Sequence, residues 1–270
     1  MIDTHTHVVA DDRDRYPLTP RNLSGEWYLE APSTAEHLMH CMDEAGVSHA
    51  VLVQAVGAYS YDNAYAADSA AAYPERFASA CCIDPAAADA VATLRRWILQ
   101  RGMHGIRIFA VSGTSQLDDP RTFPVWREAL ELGVHVIVTI LRHQLPSLER
   151  VLRRYPDLCV SLDHCGFPDP SRREPGPEPL FELAAEENLY CKVTSIVLDA
   201  MGEEAPAFVE QLVSRFGAER VMWGSDFSQT HDRSYPELVA LARRAFSGLS
   251  EEQRQQCFVG TPRSLWSSLC

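Results

Sequence analysis

In IDTHTHVV (residues 2–9), Asp3, His5 and His7 interrupt a run that otherwise suits a buried β-strand. Successive strand side chains point to opposite faces, so alternation predicts Asp3, His5 and His7 on one face and Ile2, Thr4, Thr6 and Val8 on the other. Polar groups on a buried face cost free energy unless they find partners. The run therefore asks for partners from elsewhere in the chain.

Working outward, seven more short apolar runs follow: HAVLVQ (49–54), FASACCI (77–83), GIRIF (105–109), VHVIVTI (134–140), CVSLDH (159–164), LYCKVT (189–194) and RVMWGS (220–225). Most intervals hold apolar residues at helical spacing, as in 90–102, 123–133, 144–156, 206–217 and 235–246. Residues 33–46 read as a helix opened by a capping box from Ser33 to Glu36 and closed at Gly46. LSEEQRQQCF and PRSLWSSL read as two closing helices. Strands that alternate with helices pair in parallel, because a parallel partner needs a crossover. Eight such units predict an α/β fold, a (β/α)8 TIM barrel over residues 1–270 as one domain, with a doubly wound open sheet as the alternative. No GxGxxG or GxxxxGKS follows any strand, which argues against a nucleotide cradle.

The chain has 270 residues, 46% hydrophobic and 23% charged, as in an ordinary globular protein. A net charge of −13 with no Lys/Arg run predicts no nucleic-acid partner and no anionic membrane surface. No basic-then-apolar start and no apolar run near the roughly 20 residues of a membrane span occur, so the expected location is cytoplasmic. The eight cysteines are scattered without a CxxC pair and are expected as free thiols, with Cys165 as an outside candidate for a nucleophile.

Ionisable residues gather at strand ends. These are His5 and His7 on the first strand, Arg107 on the fourth, Asp163 and His164 after the sixth, Lys192 on the seventh and Asp226 after the eighth. Barrel active sites sit at this rim, with the loops 10–32, 57–62 and 165–179 above it. Asp226 and His164 are thus the expected partners of His5 and His7. DTHTH, LDHCG and WGSDF, in this order, resemble the amidohydrolase superfamily, in particular the amidohydrolase-2 branch that includes 2-pyrone-4,6-dicarboxylate lactonase and related lactonases. The segment 50–85, HGIRIF, RRYPDLCVSLDHCGFP and VGTPRSLW also fit, so the resemblance runs nearly end to end.

That resemblance implies a hydrolase that opens a lactone or similar cyclic ester of a small carboxylated or sugar-like molecule. Asp226 is expected to act as general base on water, while His5, His7 and His164 orient the water and the carbonyl. Arg107 is expected to clamp a substrate carboxylate, with Arg142 or Arg173 as alternatives. Trp27, Tyr59, Tyr61 and His143 are expected at the substrate, and Lys192 either there or as a buried partner of Asp163 or Asp3. In this superfamily the first-strand histidines and eighth-strand aspartate often hold a divalent metal, which places zinc or manganese at His5, His7 and Asp226. The fifth strand ends without histidine and Arg107 adds positive charge, so metal binding is expected to be weak or absent. Competing readings are a metal-dependent non-oxidative decarboxylase of an aromatic or unsaturated acid, and a catalytically inactive ligand-binding barrel. A homo-oligomer is left open.

Overall fold

The computed structural model describes residues 1–20, 25–111, 116–169 and 179–269. All eight apolar runs form strands: β1 (Ile2–Thr6), β2 (His49–Val53), β3 (Phe77–Cys82), β4 (Gly105–Phe109), β5 (His135–Thr139), β6 (Val160–Leu162), β7 (Leu189–Thr194) and β8 (Val221–Gly224). Each pairs in parallel with the next in chain order. The circle closes at a shorter seam between β8 and β1. There Thr4 Oγ1 donates to the Trp223 carbonyl at 2.7 Å, the Asp226 amide to the His5 carbonyl at 2.8 Å, and the His7 amide to the Phe227 carbonyl at 2.5 Å. Gly224 makes this approach feasible, since a Cβ there would lie 2.5 Å from His5 Cβ. The glycine of WGSD thus lets β8 lie against β1. The barrel is the predicted TIM fold, not the doubly wound sheet.

β1 departs from simple alternation. Asp3 pairs with Ala50 while Thr6 pairs with Leu52, so β1 carries one extra residue, a bulge. Ile2 packs in the barrel interior with Val51, Ala78, Ile137 and Trp266. Asp3 instead turns to the helix layer, where Oδ2 accepts from the Tyr235 hydroxyl at 2.9 Å and Oδ1 from the Ser225 amide at 2.8 Å. His5 points inward. The expected common face of Asp3 and the two histidines is therefore corrected: the bulge flips Asp3 outward, and it braces the β8–β1 seam from behind.

The helices Ala35–Ala45, Phe123–Leu132, Leu145–Arg154, Ala205–Phe216 and Tyr235–Ala245 pack their apolar faces on the strands. The first of these is capped by Thr34, whose side chain accepts from the His37 amide, and not by a Ser33–Glu36 box; Ser33 bonds the His37 ring instead. Gly46, at φ 71°, ends it as expected. The two expected closing helices form one unbroken helical run from Glu251 to Leu265, after which Trp266 plugs the N-terminal end of the barrel. His135 lies at that end, with Nε2 on Ser161 Oγ at 2.8 Å and its ring 5.1 Å from Trp266. Among the described residues no helix is long and apolar enough to cross a membrane. Cys41, Cys81, Cys159, Cys165, Cys191 and Cys257 are free thiols, and burial pushes the Cys81 thiol up.

Two outcomes follow from this packing. Gly224→Ala should destabilise the protein by about 1–3 kcal/mol, the usual cost of overpacking. A thermal midpoint equal to that of the unchanged protein would show that the seam is loose. Burial holds His135 down at about 3, against 6.5 for a free histidine. Its folded pKa is depressed, so the stability it contributes is full above about pH 6.5 and falls as pH drops toward 3. His135→Gln keeps a partner for Ser161 and does not titrate. Urea unfolding between pH 6.5 and 4.5 should lose about 1 kcal/mol per pH unit less in this variant; identical slopes would contradict the assignment.

Candidate active site

Three polar atoms meet at the top of the barrel axis. His5 Nε2 lies 3.3 Å and His7 Nε2 3.4 Å from Asp226 Oδ1, and all three side chains are essentially buried. The other nitrogens of the two rings are already used. His7 Nδ1 lies 2.8 Å from the Val53 carbonyl, which can only accept, so Nδ1 carries the proton. His5 Nδ1 lies 3.1 Å from Asp163 Oδ1, an acceptor that likewise favours a proton on Nδ1. Burial drives His5 well below its ordinary value, although Asp163 pulls the other way, so the ring is neutral. Both Nε2 lone pairs then face a carboxylate oxygen, and none of the three atoms has a hydrogen-bond partner.

Asp163 is the hub beneath them. Oδ1 takes Lys192 Nζ at 2.8 Å as well as His5, while Oδ2 accepts from Thr139 Oγ1 at 2.7 Å and Arg107 Nε at 3.1 Å. Burial alone would raise this carboxyl, but His5, Lys192 and Arg107 outweigh it and hold it well below the carboxylate range. Lys192 is itself fully buried, and desolvation lowers its pKa despite Asp163.

His164 completes the rim. Its Nδ1 lies 2.7 Å from Thr194 Oγ1, and its ring is 5.1 Å from that of His5. The turn carrying it is strained, with His164, Cys165, Gly166 and Phe167 at φ 53°, 50°, 71° and 56°. Asp226 is also left-handed, at φ 60°. Non-glycine residues rarely hold this conformation, and it concentrates where a site is being aimed.

A cavity of about 350 Å³ opens above this cluster. Arg107, His164, Thr139 and Trp27 line it, as do Val56, Gly57, Phe109, Leu141, Phe167, Ile196 and Gln229. Trp27 lies where expected, its ring 5.6 Å from that of His7. Other expectations are corrected. Tyr59 is buried in the loop core, its hydroxyl accepting from the Ala10 amide at 2.8 Å. Tyr61 lines a separate, smaller pocket with Leu117 and Trp126. The Gln54 amide donates to the Ser60 and Asp62 carbonyls and so pins the turn that carries both tyrosines, while Gly57 at its start stays on the cavity lining. His143 is exposed on the turn Arg142–Gln144, and Leu141 faces the cavity instead. Lys192 lies below the cavity as the ion-pair partner of Asp163. Arg142 is not on the lining, and Arg173 lies outside the described residues. Cys165 is buried with its thiol pushed up by desolvation, which is unsuited to a nucleophile. Sequence reasoning missed the wall residues Val56, Phe109, Leu141 and Ile196; a single apolar residue at a strand end carries no signal of its own.

Against the expectation of weak or absent metal binding, the apex offers a donor set that suits a divalent cation. Three unpartnered acceptors, two imidazoles and a carboxylate, converge on one point, and three protein ligands with an open position is the usual catalytic zinc arrangement. β5 brings Thr139 in place of a histidine, and Asp163 holds His5 from behind as outer carboxylates do for metal-binding histidines.

A parallel eight-stranded barrel with histidines on its first strand and an aspartate after its last defines a hydrolase-type β/α barrel. The amidohydrolase family model matches residues 2–267, and the chain belongs to that family. It is an enzyme of the hydrolase kind. L-fucono-1,5-lactonase of Burkholderia ambifaria is 27% identical over 235 residues, which cover 84% of this chain and 79% of that protein. A crystal structure of a candidate 2-pyrone-4,6-dicarboxylic acid hydrolase from Pseudomonas putida superposes with a TM-score of 0.81 at 26% identity, covering 100% of this chain and 98% of that one. The 5-carboxyvanillate decarboxylase of Sphingomonas paucimobilis shares the fold at TM-score 0.71 and 17% identity, covering 99% and 98% of the two chains.

The metal assignment is checked by titrating chelator-treated protein with zinc or manganese in a calorimeter. One ion per chain should bind, and His7→Asn or Asp226→Asn should weaken it by more than the 10–100-fold (order of magnitude) that loss of an outer partner costs. Absence of binding, or binding that ignores both substitutions, would contradict it.

Proposed function

We propose that this enzyme opens a lactone by delivering water to the ring carbonyl, with Asp226 as the proton acceptor. The observation that carries this reading is the convergence of Asp226 Oδ1 with two unprotonated imidazole nitrogens at the foot of a cavity, where a small oxygen species is the natural occupant. The Burkholderia ambifaria lactonase and the Pseudomonas putida structure support a cyclic ester as substrate.

Each residue then has a task. Asp226, an ionised carboxylate, accepts a proton from the attacking water. The water oxygen bonds to the carbonyl carbon, the ring C–O bond breaks, and the ring oxygen leaves as a hydroxyl by taking the proton that Asp226 received. His5 and His7 fix the approach of the water, because Asp163 and Val53 lock their Nδ1 sides. His164 has Nδ1 on Thr194, so Nε2 is the nitrogen left to meet the carbonyl oxygen as charge develops there. A divalent cation held by His5, His7 and Asp226 would supply Lewis acidity, lowering the pKa of bound water. Arg107 has Nε committed to Thr139 and Asp163, so it would meet a substrate carboxylate end-on through its Nη groups.

Two variants separate base from clamp. Asp226→Asn should lower kcat on a turned-over lactone by about 10²–10⁴ while KM changes little. Arg107→Lys should weaken binding of a carboxylated lactone by about 1.5–3 kcal/mol, with a smaller effect on kcat. Wild-type turnover by Asp226→Asn would remove the aspartate from the chemistry. Release of CO2 from an aromatic acid, with no lactone opened, would replace hydrolysis by decarboxylation.

A further inference from the structure

The cavity walls are mostly apolar: Trp27, Val56, Phe109, Leu141, Phe167 and Ile196. Its polar atoms are few and largely spent. The Thr139 hydroxyl donates to Asp163 and accepts from Arg107 Nε. His164 Nδ1 is on Thr194. What remains on the lining among the described residues is the Nη edge of Arg107, whose Nη1 also reaches the Gln54 carbonyl at 3.5 Å, Nε2 of His164, the indole N–H of Trp27 and the side-chain amide of Gln229. Among the described residues Arg107 is the one cation there. Two rings flank the reacting histidines: Trp27 tilts 35° from His7, and Phe167 37° from His164 at 4.8 Å.

We infer that the substrate is a single-ring lactone with an apolar, hydroxyl-poor ring and one carboxylate, the carboxylate on the Nη edge of Arg107 and the ring along the wall from Trp27 to Phe167. This rests on the lactone-opening function proposed above. Size agrees, since about 350 Å³ equals roughly a dozen water volumes of about 30 Å³ each, enough for one ring with short substituents. A sugar lactone brings several hydroxyls, each needing a partner once water leaves. With His164 engaged at the carbonyl, the Gln229 amide and the Trp27 indole N–H are the neutral groups left among the described residues to offer one. Among the described residues a dicarboxylate would find no second side-chain cation on the lining, so its other charge would lie against Val56, Leu141 or Ile196. Flat apolar faces, by contrast, match Trp27 and Phe167.

The test compares four probes: 2-pyrone-5-carboxylate, its methyl ester, a 2-pyrone dicarboxylate and glucono-1,5-lactone. Binding is measured calorimetrically on Asp226→Asn protein, and kcat/KM on the unchanged enzyme. The monocarboxylate should bind at least about tenfold tighter than each of the other three, and Arg107→Met should erase its advantage over the methyl ester. Preference for the sugar lactone or the dicarboxylate, or no binding of the monocarboxylate, overturns the inference. Should Arg107→Met fail to fold, the ranking on the Asp226→Asn protein still decides. If the monocarboxylate binds best but the unchanged enzyme opens none of the rings, the ligand class stands and the lactone-opening reading fails.

Discussion

A single buried carboxylate, Asp163, holds the upper barrel together. It meets Lys192, Arg107, His5 and Thr139 at 2.7–3.1 Å, with no solvent exposure. Four strands, β1, β4, β5 and β7, are tied through one side chain at the end of a fifth. Removing one member of such a buried pair strands a charge and costs about 3–5 kcal/mol, so the constellation persists as a unit. It also fixes chemistry, because the same carboxylate that neutralises Lys192 sets the His5 tautomer and aims Arg107. Lys192 and Arg107 thereby face two buried carboxylates, Asp163 and Asp226.

The upper rim adds backbone strain to this frame. His164 and Asp226 both sit at positive φ, as do the three residues after His164. The fold tolerates these turns because their flanks are over-determined: Gly224 lets β8 press on β1, Ser195 donates to the Ser225 carbonyl at 2.6 Å, and Asp3 accepts from the Ser225 amide. The bulge in β1 is part of the same device. It sends Asp3 outward to hold the loop that presents Asp226, and His5 inward to face it.

Much of this was legible in the chain. The eight strands follow from short apolar runs separated by helical periodicity; seven were bounded to within two residues, and the first was read three residues too long. His5, His7, His164 and Asp226 stood out because ionisable groups at strand ends have few reasons to be there except a shared site. The face of Asp3 was not legible, because a one-residue bulge leaves no mark in an alternating pattern and reverses every side chain beyond it. Tyr59, Tyr61 and His143 misled for another reason. Loop aromatics and histidines resemble ligand contacts in sequence, yet the turn carrying the two tyrosines is pinned by Gln54, six and eight positions from its partners Ser60 and Asp62, and His143 falls on an exposed turn. The apolar wall stayed hidden, since Val56, Leu141 and Ile196 look like any other core residue until the barrel places them around one axis.

The central claim is that water, activated at the Asp226 apex, attacks the lactone carbonyl directly. A single turnover in 18O-labelled water, with enzyme in excess over a lactone it opens, tests this by mass spectrometry of product and protein. One 18O should appear in the new carboxylate of the product and none in the peptide carrying Asp226. Label in Asp226 with an unlabelled product, which would mean that the aspartate had attacked the carbonyl itself, would contradict the account.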